Sequence, residues 1–271
     1  MPTKQQARVH LIDTMRRVVD VLPQAMPELK AIPKRDTREP HHNQKDKLER
    51  QLHDVFMRRF AHQKRLLETR LPVFLGSKTV IDYTFLTDDN LDEGAESEEI
   101  IRLILVGAVD GIALFKDGVS IGVDWSKVNT AAAEWARKYV GELIKGIDQT
   151  TLDAVRQAVY NFVNTPGMTI GDVIGQLPFD EVRAWKIAIT ETTRAYAEAQ
   201  KLAGEQLKEQ FPDVKVVKQW FTNNDDLVCD ICAPMNNEEV EMSETFSSGD
   251  DNPPAHVNCR CWMSTGTDIN G

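Results

Sequence analysis

The sequence predicts a mainly α-helical protein: a helical body followed by a small α+β region that is stapled at the C-terminal end. Three observations predict this. Apolar residues recur at helical spacing through most of the chain up to about Glu209. The period changes to that of a strand at Val214. All four cysteines lie between Cys229 and Cys261, a clustering that points to a local staple rather than to scattered core thiols. With 271 residues the chain has room for two ordinary domains or one large one.

The elements follow in order. Gln5 to Leu22 carries Val9, Ile12, Met15, Val18, Val19 and Leu22 on one face of a predicted helix. Pro23, Pro27, Pro33 and Pro40, with His41 and His42, mark a polar linker or extended arm. A long helix is predicted from Asn43 to Leu71, striped by Leu48, Leu52, Val55, Phe56, Phe60, Leu66 and Leu67 and ended by Pro72. Thr79 to Leu86 suits a short strand, and Thr87 to Glu99 reads as an acidic loop. Ile100 to Val109 is a buried helix or strand, and Lys116-Asp117-Gly118 between apolar flanks suggests a hairpin over Ile112 to Val123.

Four helices are then predicted. The first runs from Ser126 to Lys145 and the second from Thr150 or Thr151 to Val163. The third runs from a Thr169 cap to Leu177, and the fourth from Phe179 to about Glu209. Strands are expected at Val214 to Thr222, Glu239 to Met242 and Cys261 to Thr265. This divides the chain into a basic N-terminal region (1–99), a helical core (100–213) and an acidic Cys/His-rich tail (214–271).

Charge is distributed unevenly. Net charge is -10, yet residues 1–71 hold 16 Lys and Arg against 9 Asp and Glu, leaving -17 for the rest. An acidic total argues against general nucleic-acid binding, and the basic first third keeps a local contact with DNA open. No apolar run reaches the roughly 20 residues of a helical membrane span. The first residues lack a signal-peptide core, so a cytoplasmic product is expected.

The tail reads Cys229-x2-Cys232, then 23 residues, then His256-x2-Cys259-x-Cys261. Two such pairs on separate turns can close a tetrahedral zinc site, and four protein ligands leave no open position, which makes the ion structural. Five donors compete for four positions. Cys229, Cys232 and His256 are joined by Cys259 or Cys261, with Cys259 favoured because His256-x2-Cys259 mirrors the first pair. An all-cysteine site, a disulfide or redox pair, and idle thiols are the other readings. One structural zinc per chain would supply folding energy to a tail poor in large apolar residues. Arg260 is the one basic residue after Lys218 and is expected to anchor this tail to a carboxylate or backbone carbonyl. Glu191, Arg194 and Glu198 read as a solvated ion-pair face or a link to the tail.

Cys229-Asp-Ile-Cys232-Ala-Pro-Met-Asn, followed by Pro253-Pro254-Ala-His256-Val-Asn258-Cys259-Arg260-Cys261, resembles the ending of the phage Mu F-like minor head proteins. Ile187-Ala188-Ile189-Thr190-Glu191 resembles the family's Ile-Ala-Arg-Thr-Glu helix motif, departing from it at Ile189. The likeness covers roughly residues 124–265. It implies a low-copy structural component of a phage or prophage virion, made in the bacterial cytoplasm. The partners it implies are the portal and other capsid proteins, in head assembly and DNA packaging or ejection. It implies no catalytic residues. The competing reading is a zinc-dependent nuclease or virion-associated hydrolase using His256 or Glu191 as acid or base.

Overall fold

The computed structural model describes residues 34–76, 94–119, 123–223 and 225–267. The helix expected at Gln5 to Leu22, the Pro-rich stretch up to Pro33, the strand expected at Thr79 to Leu86 and the loop up to residue 93 lie outside the described residues. Five helices and three short strands follow in order. The helices are α1 (His42–Gly76), α2 (Gly94–Gly118), α3 (Trp125–Asn164), α4 (Ile170–Gly175) and α5 (Glu181–Gln210). The strands are β1 (Val216–Phe221), β2 (Glu239–Glu241) and β3 (Trp262–Thr267).

Helix α1 buries the expected stripe of Leu48, Leu52, Val55, Phe56 and Phe60. It runs past Pro72 instead of ending there. Near a helix end the missing proline N–H removes only one bond, and Pro72 is exposed, so water can reach the freed carbonyl.

Helix α2 replaces two expectations. Glu96 lies in its first turn, beside the positive end of the helix dipole, and residues 94–99 are helical rather than loop. Ala108, Ile112 and Phe115 are buried at a spacing of four and three, so the stretch expected as a hairpin is helical through Gly118. Gly118 is required for packing: a Cβ there would lie 2.4 Å from the Thr265 carbonyl oxygen.

Helix α3 is one helix of 40 residues where two were expected. Gly146, Asp148, Thr150 and Thr151 have the chemistry of a stop and a restart. Here Thr150 and Thr151 donate back to the carbonyls of Gly146 and Ile147, at 2.8 and 3.0 Å. Asp148 serves as a buried partner for Arg59 (2.6 Å) and Gln63 (2.7 Å) of α1 rather than as a cap. The Thr169 cap is as expected. Asp124 caps α3, Thr169 and Asp172 form a capping box on α4, and Asp180 accepts from Arg183 N at 2.9 Å to start α5.

Helix α5 is the common wall of the body, packing against α1, α2 and α3. Its buried alanines, among them Ala188, Ala195 and Ala199, let neighbours approach closely. A Cβ at Gly111 of α2 would lie 2.6 Å from the Tyr196 carbonyl oxygen. The sheet has the order β2-β1-β3, with both pairings antiparallel. Val217 faces Glu241 on one side of β1, and Phe221 faces Trp262 on the other. Alternate residues Val216, Lys218 and Trp220 are buried. Val216 joins α5 and Met242 in one cluster, and Trp220 lies among the cysteines.

Gly111→Ala should destabilise the fold by about 1–3 kcal/mol, because the new methyl meets backbone that cannot yield. Gly141 has no atom within 4 Å of an added Cβ. Gly141→Ala should therefore leave stability unchanged or raise it by roughly 0.5–1 kcal/mol. Urea denaturation of the two variants checks the contrast.

Candidate metal centre

The centre is built from two turns of similar form. In the first, Cys232 N donates to the Cys229 carbonyl at 3.1 Å and Ala233 N donates to the same oxygen at 2.9 Å. In the second, Cys259 N donates to the His256 carbonyl at 3.3 Å. Asn258 in that turn has φ +65°, a left-handed conformation that Asn tolerates better than most side chains.

The turns bring their donors together. Nε2 of His256 lies 3.1 Å from Cys229 Sγ and 3.2 Å from Cys232 Sγ. Cys232 Sγ lies 3.8 Å from Cys259 Sγ. Nδ1 of His256 is 2.8 Å from the Val257 carbonyl. A carbonyl can only accept, so Nδ1 carries the proton and Nε2 presents its lone pair to the sulfurs. Two ligand-competent triads result, Cys229-Cys232-His256 and Cys232-Cys259-Cys261, each with its donor atoms within 4.8 Å of one another. They share Cys232.

The donor set fits a soft tetrahedral cation. Sulfurs at about 2.3 Å from a zinc ion stand about 3.8 Å apart, which is the Cys232–Cys259 separation. The two S···N pairs would open by a few tenths of an ångström. None of the four cysteines is in a disulfide. Hydrogen bonds from the Cys232 and Cys261 thiols outweigh burial and hold the Cys259 thiol well below its ordinary pKa. Cys232 is pushed up, because it keeps its proton to serve Cys259 and Cys261 and is buried as well. A cation bound here would replace the protons these sulfurs share. Trp220, Met235 and Phe246 pack around it, with Trp220 edge-on to Phe246 at 5.1 Å.

Helix α5 holds the second turn through two hydroxyls. Thr190 Oγ1 accepts from Asn258 N at 2.8 Å, and Thr193 Oγ1 donates to the Cys259 carbonyl at 3.1 Å. Arg260 grips both oxygens of Asp225, at 2.6 and 3.0 Å, and the Lys34 carbonyl at 2.8 Å. That is the anchoring role expected of it. The two threonines are absent from the sequence-based set of site residues. Their signal is three threonines, Thr190, Thr192 and Thr193, within four positions of a long helix, where such residues are poor helix formers.

Glu191 is buried instead of solvated. It accepts from Tyr139 Oη and lies 3.6 Å from Arg194 Nε, and burial raises its pKa against the pull of that arginine. Glu198 accepts from Asn252 Nδ2 at 2.9 Å and so does link the helix to the tail. Of the N-terminal histidines, His53 stacks on Trp185 at 4.2 Å and takes no part in the cluster.

The centre is thus a helical wall that carries a small sheet with a Cys/His cluster. Residues 146–264, from the second half of α3 into β3, match the family described as Phage Mu protein F like protein. Over that span, somewhat under half of the chain, the sequence is similar to the phage Mu F-like head morphogenesis proteins. No curated protein and no solved structure matches it. Among the described residues no helix is long and apolar enough to cross a membrane.

Replacing Arg260 by Lys removes the fork on Asp225 and should cost about 1 kcal/mol, since Asp225 keeps part of its hydration. Burial raises the Asp225 pKa, but the hydrogen bonds from Arg260 and Asn223 win and leave it lowered. The pairing is thus fully present above the ordinary aspartate range near pH ~3.9 and is lost as pH falls through the folded value below it. The stability gap between wild type and Arg260→Lys, read by denaturation, should be widest near neutrality and shrink in acid.

Proposed function

We propose that this chain is a low-copy minor head protein of a tailed phage or prophage, present in the virion after assembly in the bacterial cytoplasm. It associates with the portal and other capsid proteins at the capsid interior, in head assembly and in DNA packaging or ejection. Its tail is stapled by one zinc ion, held by Cys229, Cys232, His256 and Cys259, with Cys261 as the remaining donor of the set. The observation that supports this reading is the cluster of five donors, with Cys232, Cys259 and Cys261 buried and Cys229 and His256 half-buried, seated on α5 within the Mu F-like span. The sulfurs are enclosed by Trp220, Met235 and Phe246, which suits a structural ion.

The basic first third offers less free charge than its composition suggests. Arg35 and Lys45 are buried against Glu39, Arg35 also against Glu49, and Arg59 against Asp148. Contact with packaged DNA or an acidic portal surface would fall to the remaining cations of residues 1–71.

Protein purified without chelator should contain about one zinc per chain by mass spectrometry. The Cys229→Ser/Cys232→Ser variant should lose both the metal and the tail's resistance to protease while its helical circular dichroism survives. A metal-free protein from a reducing preparation would sink the staple. Purified phage heads should contain the chain at a few copies per portal ring by quantitative proteomics, and its absence from them would overturn the assembly role.

A further inference from the structure

A cleft opens where the second half of α3 meets the first turns of α5 and the loop between α4 and α5. Its volume is about 420 Å³, within the range of small ligand pockets. Thr150, Ala154 and Ala158 recur at a spacing of four on α3, so one face of that helix offers only small side chains there. Pro178 and Val182 close the apolar wall from the other side. Small side chains make the room, and charge identifies what it holds.

Two cations line the cleft. Arg183 and Lys186 lie three positions apart on α5 and so are neighbours on one face of it. Arg183 is only 6% exposed. Its Nη1 donates to Thr151 Oγ1 at 3.1 Å and to the Pro178 carbonyl at 3.0 Å, and its Nη2 donates to the Ile147 carbonyl at 3.0 Å. The Phe60 ring covers one face of the guanidinium at 4.7 Å. All of these partners are neutral. The nearby carboxylates are engaged elsewhere: Asp180 accepts from Arg183 N, and Asp148 holds Arg59 and Gln63. A guanidinium carries five N–H groups, so two of them have no acceptor among the described residues. Burial pushes the Arg183 pKa down to about 10 against the pull of Asp180 and Asp148, and burial lowers that of Lys186 too. A buried charge without a counter-charge is costly, and an anion brought to it removes much of that cost.

We propose that this cleft binds the C-terminal carboxylate of a partner polypeptide that ends in apolar residues. Arg183 and Lys186 receive the carboxylate, and Ala154, Ala158, Pro178 and Val182 receive the last side chains. A single negative charge matches the site, because Asp180, exposed at the rim, repels a second. Gln157 and Gln176 are exposed at the mouth, where their amides can pair with a peptide backbone. A free carboxylic acid leaves those amides unused, which favours a chain end. Binding here requires no ion in the Cys/His cluster, so the two readings fail separately.

Fluorescence anisotropy on the full chain tests this with a pool of dye-labelled tetrapeptides ending in alanine, valine, leucine or phenylalanine. The free-acid pool should bind about tenfold or more tightly than the same pool with amidated ends. Lys186→Gln should weaken the free-acid binding. Removing Arg183 would also cut the ties between α3 and α5, so Ala154→Leu is the cleaner variant. It fills the cleft without deleting a hydrogen-bonding group. It should abolish binding while circular dichroism and the thermal midpoint stay at their wild-type values. No binding of the free-acid pool, equal affinity for acid and amide, or undiminished binding by a folded Ala154→Leu overturns the site. Butyrate that competes as well as unlabelled peptide at equal concentration overturns the chain-end assignment.

Discussion

A helix can be the shared wall of two differently built regions only if its faces carry different chemistry, and α5 meets that condition. One face is lined by Ala188, Ala195 and Ala199, with Gly111 of α2 lying close enough to touch backbone. Such contacts leave no space for a side chain, so they fix the distance between the two helices. Another face presents the Thr190 and Thr193 hydroxyls to the turn that carries Cys259. Hydroxyls bond in a narrow range of directions, so they fix orientation. The position of the Cys/His cluster relative to the body follows from these two constraints on a single rigid helix.

The interior of the body is unusually charged for a helical bundle. Arg35, Glu39, Lys45 and Glu49 form one buried group, and Arg59 and Asp148 a second. Each group balances to zero formal charge. Burial still presses on its members: it lowers the Lys45 pKa and raises that of Glu49 against the attraction of their partners. Buried pairs of this kind add little net stability, because desolvation consumes most of the Coulomb gain, while the loss of one partner is expensive. Here they bind α1 to α3, distant in sequence, and residues 34–39 to the first turns of α1. An apolar contact would tolerate slippage that a bidentate or triply bonded charge does not.

This explains which features were legible in the sequence. The Thr169 cap was legible because it acts locally, through the amides of the next few residues. The Cys/His cluster was legible because its spacing alone lets two turns face each other. The boundary between Lys145 and Thr150 was misread because Asp148 and the threonines have partners on α1 or one turn back, and only the fold reveals them. Glu191 and the 34–39 segment were misread for a related reason. Charged residues carry no periodic sign of burial, so a solvated face and a buried network look alike until the opposing helix is in place.

The sequence also led to an expectation that the ion supplies the tail's folding energy. The structure distributes that task more widely. Trp220, Met235 and Phe246 form a small core around the sulfurs, and β1 pairs with strands on both sides. Met242 packs against Gly204 of α5, and Arg260 ties the last turn to Asp225 and to the Lys34 carbonyl. A region with this many independent anchors loses local order when one of them goes, and keeps its place on the body. The contribution of an ion bound there would therefore fall on the two turns and on what they touch directly. Those contacts lead through Thr193 and Asn223 to residues 34–39, a segment without an apolar side chain. A staple inside an otherwise self-supporting tail acts locally.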